Sequence, residues 1–421
     1  MHPPPPSPSS QFSLSETNIS QRPGSAQVGR TFTKCCAGWK KKVRVLSCAP
    51  NTNSELICNQ FSSSKQARQL ILEHVIRRWI YNYILYLFIS PLAEISVCLC
   101  TSLLFCTIMS QEEFKDMLDK KLEEAGKAAP EDQLFTHDGG LYPNIVCCPD
   151  TLKIIDTFEA RSDDVVLVGY PKTGTNWVGQ ILKELEAASG KYDEEEMKRR
   201  QQIENELKLM PFLEFGDPGK FERLKKLPSR RVIKTHLFPQ KIPKSIFQKK
   251  AKILVLFRNP KDTAVSYFHF SKGIKIVPDQ KTWDEFFSEF IGGIVPYRLY
   301  FDHIVEWNKY LDDKNIMFIT YEELKENTTL GLKKIAEFFN FSVTEQDIQS
   351  IVEKTSFNTM KEKSPNTHGK LGNALFRKGI VGDWKSVFSE SQNEEMDRKF
   401  EETAAKTKLG RMLKYELYCK S

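Results

Sequence analysis

Several common chemistries are missing from this chain. It has no His-Glu-x-x-His and no Cys-x-x-Cys pair with zinc spacing, so nothing in it predicts a metal centre. Only Cys147, Cys148 and Cys419 of its 10 cysteines follow Met109. The adjacent pair Cys147 and Cys148 makes no disulfide framework, and a reducing compartment is the default. No internal repeat is evident. Net charge is absent from most of the chain too. Residues 1–108 hold 11 Lys and Arg against 4 Asp and Glu, which is the whole excess of +7. The remainder is neutral, which argues against nucleic acid as a partner held by bulk charge. An anion would have to be held by local cations. The chain also lacks the short charged start of a cleavable signal peptide.

Three segments supply such local cations. The first is Tyr170-Pro171-Lys172-Thr173-Gly174-Thr175-Asn176-Trp177. It follows the apolar run Val165–Gly169, read as a buried strand, and precedes a helical pattern from Val178. A strand, a tight glycine turn and a helix start make an anion site, because the first helical N–H groups lack intrahelical partners. Gly169 and Gly174 have the spacing of a nucleotide triphosphatase loop, but Thr175 stands where its lysine belongs and Asn176 where its magnesium-binding hydroxyl belongs. Triphosphate chemistry needs that metal. A phosphate-like ligand without magnesium suits the loop better.

The second segment is Arg258-Asn259-Pro260-Lys261-Asp262, after the apolar run Lys252–Phe257. Pro260 fits the first position of a helix capped by Asn259. Arg258 at the strand end and Ser266 about two turns along that helix could grip a second phosphate, although Arg258 could instead pair with Asp262. The third is Phe376-Arg377-Lys378-Gly379, followed by Gly382-Asp383-Trp384-Lys385. Two adjacent cations and a flanking glycine permit close backbone approach to an anion.

Together these segments resemble the cytosolic sulfotransferase family, from about Met109 to the C-terminus. The first looks like the family's 5′-phosphosulfate loop, the second its 3′-phosphate motif and the third its C-terminal signature. Phe158-Glu159-Ala160-Arg161 is most similar to the sixth, 6B, branch. The resemblance implies the donor 3′-phosphoadenosine 5′-phosphosulfate and a small-molecule hydroxyl acceptor. It assigns Lys172, Thr173, Gly174, Thr175 and Asn176 to the donor's 5′ end. Trp177, Tyr321, Thr355, Phe357 and Met360 would surround the adenine. Arg258, Ser266, Arg377, Lys378 and Gly379, with Phe376 beside them, would hold the 3′-phosphate. Many family members carry threonine where this chain has Asn176, which changes the geometry there.

Transfer to a hydroxyl requires a base, and histidine suits that role near neutral pH. Val232–Thr235 reads as a short strand, and alternation puts Lys234 and His236 on one side. By resemblance His236 is the general base, with Lys234 and Lys172 stabilising charge on the transferring group. The segment Pro211–Phe215, with Phe212 and Phe215, and Phe270 resemble the family's acceptor wall. Aromatic walls favour a phenol, a sterol or a similar flat alcohol. The 6B branch adds iodothyronines such as thyroxine. Dimerisation in the family uses a Lys-x-x-x-Thr-Val-x-x-x-Glu segment. Here Lys385 and Glu394 keep its ends, while Ser389-Glu390 replaces the central pair.

The chain divides into a basic extension, 1–78, with a Pro- and Ser-rich start read as disordered; an apolar segment, 79–108; and a sulfotransferase-like domain, 109–421. The apolar segment is long enough to span a bilayer. Two readings stand. In one, a cytoplasmic enzyme starts naturally at Met109 and residues 1–108 are a gene-model extension or a dispensable tail. In the other, a type II Golgi enzyme resembles carbohydrate sulfotransferases. A phosphate-binding protein without catalysis is a third. Strand runs at Val165–Gly169, Val232–Thr235, Lys252–Phe257 and Ile316–Thr320 alternate with helical patterns at Trp283–Phe290, Tyr297–Tyr310 and Leu324–Phe339. That order predicts an α/β domain with a parallel sheet between helices, its ligand at the strands' C-terminal ends.

Overall fold

The structure, a computed structural model, describes residues 111–125, 127–207, 212–274 and 282–420. The expectations for residues 1–108 and for Pro211 lie outside them. The chain starts with helix α1 (Gln111–Ala125) and a hairpin, β1 (Leu134–His137) and β2 (Gly140–Pro143). The strands and longer helices then run β3 (Val165–Gly169), α2 (Thr175–Gly190), α3 (Glu194–Glu206), β4 (Val232–Thr235), β5 (Lys252–Phe257), α4 (Pro260–Ile274), α5 (Trp283–Gly292), α6 (Tyr300–Asn308), β6 (Ile316–Thr320), α7 (Thr328–Phe339), α8 (Glu345–Lys354), α9 (Phe357–His368) and α10 (Glu390–Thr403).

Strands β4, β3, β5 and β6 lie side by side in that order, all parallel. All four expected strands form with the expected bounds. Their apolar runs are continuous because both faces of a parallel sheet are covered. Alternation sorts the side chains into two cores. Val165, Leu167, Leu254 and Leu256 meet Ile181 and Leu185 of α2 and Leu332 and Ile335 of α7. Val166, Val168, Ile253 and Val255 meet Phe286 of α5 and Tyr300, Ile304 and Trp307 of α6.

Three features depart from the sequence reading. The hairpin β1–β2 was not among the expected strands. It turns through Asp138 and Gly139, both left-handed, the Asp-Gly chemistry of a two-residue hairpin. The helix expected over Tyr297–Tyr310 starts only at Tyr300, because Tyr297 and Arg298 take φ of 68° and 63°. The pattern over Leu324–Phe339 is two helices. Asn327 ends the first, and its side chain accepts from the Leu330 N–H to cap α7. Among the described residues no helix is long and apolar enough to cross a membrane.

Candidate functional site

The C-terminal ends of the strands converge. His236 directly follows β4, Arg258 follows β5 and Tyr321 follows β6, while β3 runs into the loop 170–174. That loop is closed by Thr173, whose hydroxyl donates to the Tyr170 carbonyl at 2.8 Å and whose N–H donates to the same oxygen. Lys172 and Gly174 are left-handed, with φ of 71° and 107°. A Cβ on Gly174 would sit 2.9 Å from the Tyr321 ring, so the glycine is required for packing as well as for the turn. Helix α2 begins at the next residue, presenting its unpaired N–H groups to the loop. The Lys172 ammonium lies 4.0 Å over the Phe270 ring. Burial, then the nearby Arg258 and Arg377 charges, lowers its pKa to about 7.

At the end of β4 the His236 ring stacks on Phe212 at 4.2 Å and meets Tyr297 edge-on at 5.1 Å. Its Nδ1 lies 2.5 Å from the Gly169 carbonyl oxygen. Only a protonated Nδ1 can donate there, which leaves Nε2 as the ring's proton acceptor. Burial is the main cause lowering the His236 pKa to about 3, and the Lys234 and Lys172 charges add to it. The Gly169 bond opposes the shift. The imidazole is therefore neutral at neutral pH. Lys234 lies 4.8 Å from the Phe212 ring centre and is lowered to about 7 by burial and by Lys183. Gly179 of α2 gives it room, since a Cβ there would come within 3.0 Å of the lysine Cδ.

The turn 212–215 is docked onto this strand end. The Leu213 N–H donates to the Lys234 carbonyl at 2.8 Å. One oxygen of buried Glu214 accepts from the His236 N–H at 2.9 Å and the other from the Thr235 hydroxyl at 2.8 Å. Burial raises the Glu214 pKa. The buried Lys220 ammonium donates to the carbonyls of Phe212 and Phe215. Thus one turn carries two aromatic rings, Phe212 against the histidine and Phe215 beyond it, and fixes the histidine's backbone.

At the end of β5, Asn259 accepts from the Asp262 N–H at 2.7 Å and Pro260 opens α4, as expected. The Arg258 guanidinium donates to the carbonyls of Lys172 and Ile380 at 3.3 and 3.0 Å and lies 4.5 Å over the Tyr321 ring. Its contact with Asp262 is long, 3.7 Å. That carboxylate accepts instead from the N–H groups of Gly382 and Trp384, at 2.8 and 3.0 Å. Arg258 Nε is buried without a protein partner, an unspent donor beside the cavity. The Trp177 indole donates to the Thr355 carbonyl at 2.9 Å and meets Tyr321 edge-on. The Thr355 hydroxyl is committed to the Ile351 carbonyl. Gly379 has φ of 66°, and a Cβ on it would lie 2.2 Å from the Phe357 ring. Arg377 and Lys378 both bond to Asp383.

Every expected site residue except Thr173 lines one cavity of about 620 Å³. Thr173 is fully buried and spends its hydroxyl inside the loop, so its place is beneath the site. Ser266, Met360 and Phe376 line the cavity with the cations. Residues not singled out from the sequence line it too: Tyr267, Tyr297, Lys183, His368 and Asp383. No spacing rule marks Tyr297, whose left-handed backbone turns it toward His236. Asp383 belongs to the third cationic segment, but its pairing with Arg377 and Lys378 comes from the fold. Among the described residues no group of three or more His, Cys, Asp or Glu could hold a metal ion. The cavity therefore combines a group of cations, aromatic faces suited to a purine, and a neutral histidine against an aromatic wall. These residues fit a nucleotide bearing phosphate at both its 5′ and 3′ positions.

Comparisons with known proteins agree with that chemistry. A family profile described as the sulfotransferase domain matches residues 162–408. Sulfotransferase 6B1 from mouse is 47% identical over 309 residues, covering 73% of this chain and 98% of that protein. Its human counterpart is 48% identical over the same length and coverage. The crystal structure of mouse sulfotransferase SULT7A1 complexed with PAP is 37% identical and matches with a TM-score of 0.59, covering 67% of this chain and 98% of that one.

Proposed function

Because this chain belongs to the sulfotransferase family, near its 6B members, and is an enzyme that takes 3′-phosphoadenosine 5′-phosphosulfate as co-substrate, we propose that it sulfates a flat aromatic or alicyclic alcohol with His236 as general base. The observation that carries this reading is the Nδ1 contact of His236 with Gly169, which commits the ring to one tautomer beside the phosphate loop. The co-substrate supplies an activated sulfuryl group. In this reading His236 Nε2 takes the proton of the acceptor hydroxyl as its oxygen bonds to sulfur. Lys172 and Lys234 offset the negative charge on the transferring group and on the oxygen it leaves. Lys172, Gly174, Thr175 and Asn176 hold the 5′ end, and Arg258, Ser266, Arg377, Lys378 and Gly379 the 3′-phosphate. Trp177, Tyr321, Thr355, Phe357 and Met360 enclose the adenine, and Phe376 lies beside the 3′-phosphate group of residues. Thr173 contributes by keeping the loop closed. Anionic donor beside Lys172 and Lys234 raises the proton affinity of His236 from its low value in the free site, so the base strengthens when it is needed.

Phe212, Phe215 and Phe270 make the acceptor wall, and their flat faces support a phenol, a sterol or an iodothyronine such as thyroxine. We read 109–421 as the catalytic domain, cytoplasmic in location by the class of its C-terminal signature, with Lys385–Glu394 as a homodimer contact. The test is transfer of label from [35S]-donor by the chain begun at Met109, against a panel of phenols, sterols, iodothyronines and amines. Labelling of hydroxyl acceptors alone is expected. Labelling of amines alone would sink the acceptor class, and donor binding with no transfer to any acceptor would sink the catalytic reading.

A further inference from the structure

Asp383 is the one carboxylate in the segment 376–385. Only 5% of its side chain is exposed, and its two oxygens are divided between cations. Oδ2 accepts from the Arg377 guanidinium and Oδ1 from the Lys378 ammonium. Its backbone has a further anchor besides these cations. The backbone N–H groups on either side of it, those of Gly382 and Trp384, are both held by Asp262 of α4. The same loop supplies the Ile380 carbonyl that accepts from Arg258. Arg258, Arg377, Lys378 and Asp383 all line the one cavity. Burial acts to raise the Asp383 pKa, but its contacts with Arg377 and Lys378 outweigh burial and leave it lowered, so it is ionised at neutral pH.

We propose that Asp383 is a built-in counterion that competes with the nucleotide's 3′-phosphate for Arg377 and Lys378, and so limits how tightly the desulfated product is held. The inference rests on assigning those two cations to the 3′-phosphate. A phosphate entering the cavity replaces charge-assisted bonds that Arg377 and Lys378 already make, rather than adding to unpaired cations. Donor and product share the 3′-phosphate, so grip on it is uniform binding. Beyond what capture requires, it slows product release without lowering the chemical barrier. A fixed carboxylate between the cations weakens that grip. The opposite expectation belongs to a scaffold role, in which Asp383 merely orients the cations and its loss weakens binding.

Calorimetric titration with 3′-phosphoadenosine 5′-phosphate and with adenosine 5′-monophosphate, which lacks the 3′-phosphate, separates these roles. For Asp383→Asn we expect affinity for the bisphosphate to rise about tenfold, a coupling of ordinary size, with the monophosphate unchanged. The steady-state rate should fall while the single-turnover rate holds. Asp383→Ser repeats the test without an amide, and melting curves of both variants establish that they fold. In an Arg377→Gln, Lys378→Gln background the effect of Asp383→Asn should vanish. Equal or weaker bisphosphate binding by folded Asp383→Asn and Asp383→Ser would overturn the proposal. If Arg377→Gln, Lys378→Gln by itself left bisphosphate affinity unchanged, the assignment of the 3′-phosphate would be wrong instead.

Discussion

At the scale of single residues, the site works through charges placed where water is scarce. His236 is neutral because burial and two lysines disfavour its cation, and its tautomer follows from one carbonyl, that of Gly169. His236→Ala should lower turnover by about 10²- to 10⁴-fold, the usual contribution of a general base. Affinity for the desulfated nucleotide should hold. Rapid-quench assay and calorimetry measure the two, and near-normal turnover would remove His236 from the mechanism. Lys172 and Lys234 set a second expectation. Both ammonium groups are lowered to about 7. Below that pH they are charged and attract the donor; as pH rises through it the free enzyme loses them. The kcat/KM for donor should therefore fall on the alkaline side of neutrality. Lys172→Arg, whose guanidinium stays charged, should flatten that limb. A profile that falls only on the acid side would contradict the assignment.

At the scale of elements, the turns that line the cavity are pinned by residues from elsewhere in the chain. The turn 212–215 is held by Lys220, by β4 and by the Glu214 contacts with Thr235 and His236. The loop 376–385 is held by Asp262 of α4, and its Gly379 packs on the Phe357 ring of α9. Gly379→Ala meets two obstacles. A left-handed conformation costs a residue with a Cβ about 1–2 kcal/mol, and the new methyl overlaps Phe357, so ring or loop must move. We expect a rise in donor KM together with a lower melting temperature. An unchanged KM would place Phe357 outside the adenine pocket. Helix starts also follow contacts: α6 waits until Tyr300 because Tyr297 and Arg298 are left-handed, and the Arg298 carbonyl takes the Tyr170 hydroxyl at 2.7 Å.

At the scale of the whole molecule, residues 415–419 are tied to helix α4, which follows Arg258. Lys261 is fully buried, donates to the Cys419 carbonyl at 2.6 Å and meets Asp397 of α10 at 2.5 Å. The Trp384 indole donates to the Tyr418 carbonyl, and Tyr415 stacks on Phe400 at 3.8 Å. Removing residues 414–421 takes away the Cys419 and Tyr418 carbonyls and uncovers Phe400, while Asp397 stays on Lys261. Loss of one large core aromatic alone costs about 3–5 kcal/mol. The truncated protein should melt well below the full chain and bind nucleotide more weakly, because the start of α4, next to Arg258, loses part of its support. Thermal melting with and without the desulfated nucleotide measures both, and an unchanged melting point would dismiss the tie.

The sequence by itself determined the four parallel strands, since runs such as Val165–Gly169 and Lys252–Phe257 are apolar at every position only when both faces are covered. It also determined the tight loop 170–174 ahead of α2, the cap at Asn259 and the nearness of Lys234 and His236, because each depends on neighbours a few residues away. Tertiary structure alone decided the rest. Glu214 reaches the His236 backbone, Asp262 holds a loop about 120 residues later, and Asp383 takes the two cations its own segment seemed to offer a ligand. These pairings arise when distant segments meet in a dry interior, where an unpartnered charge or N–H costs more than the chain's local preferences can supply. No spacing within a segment records that meeting.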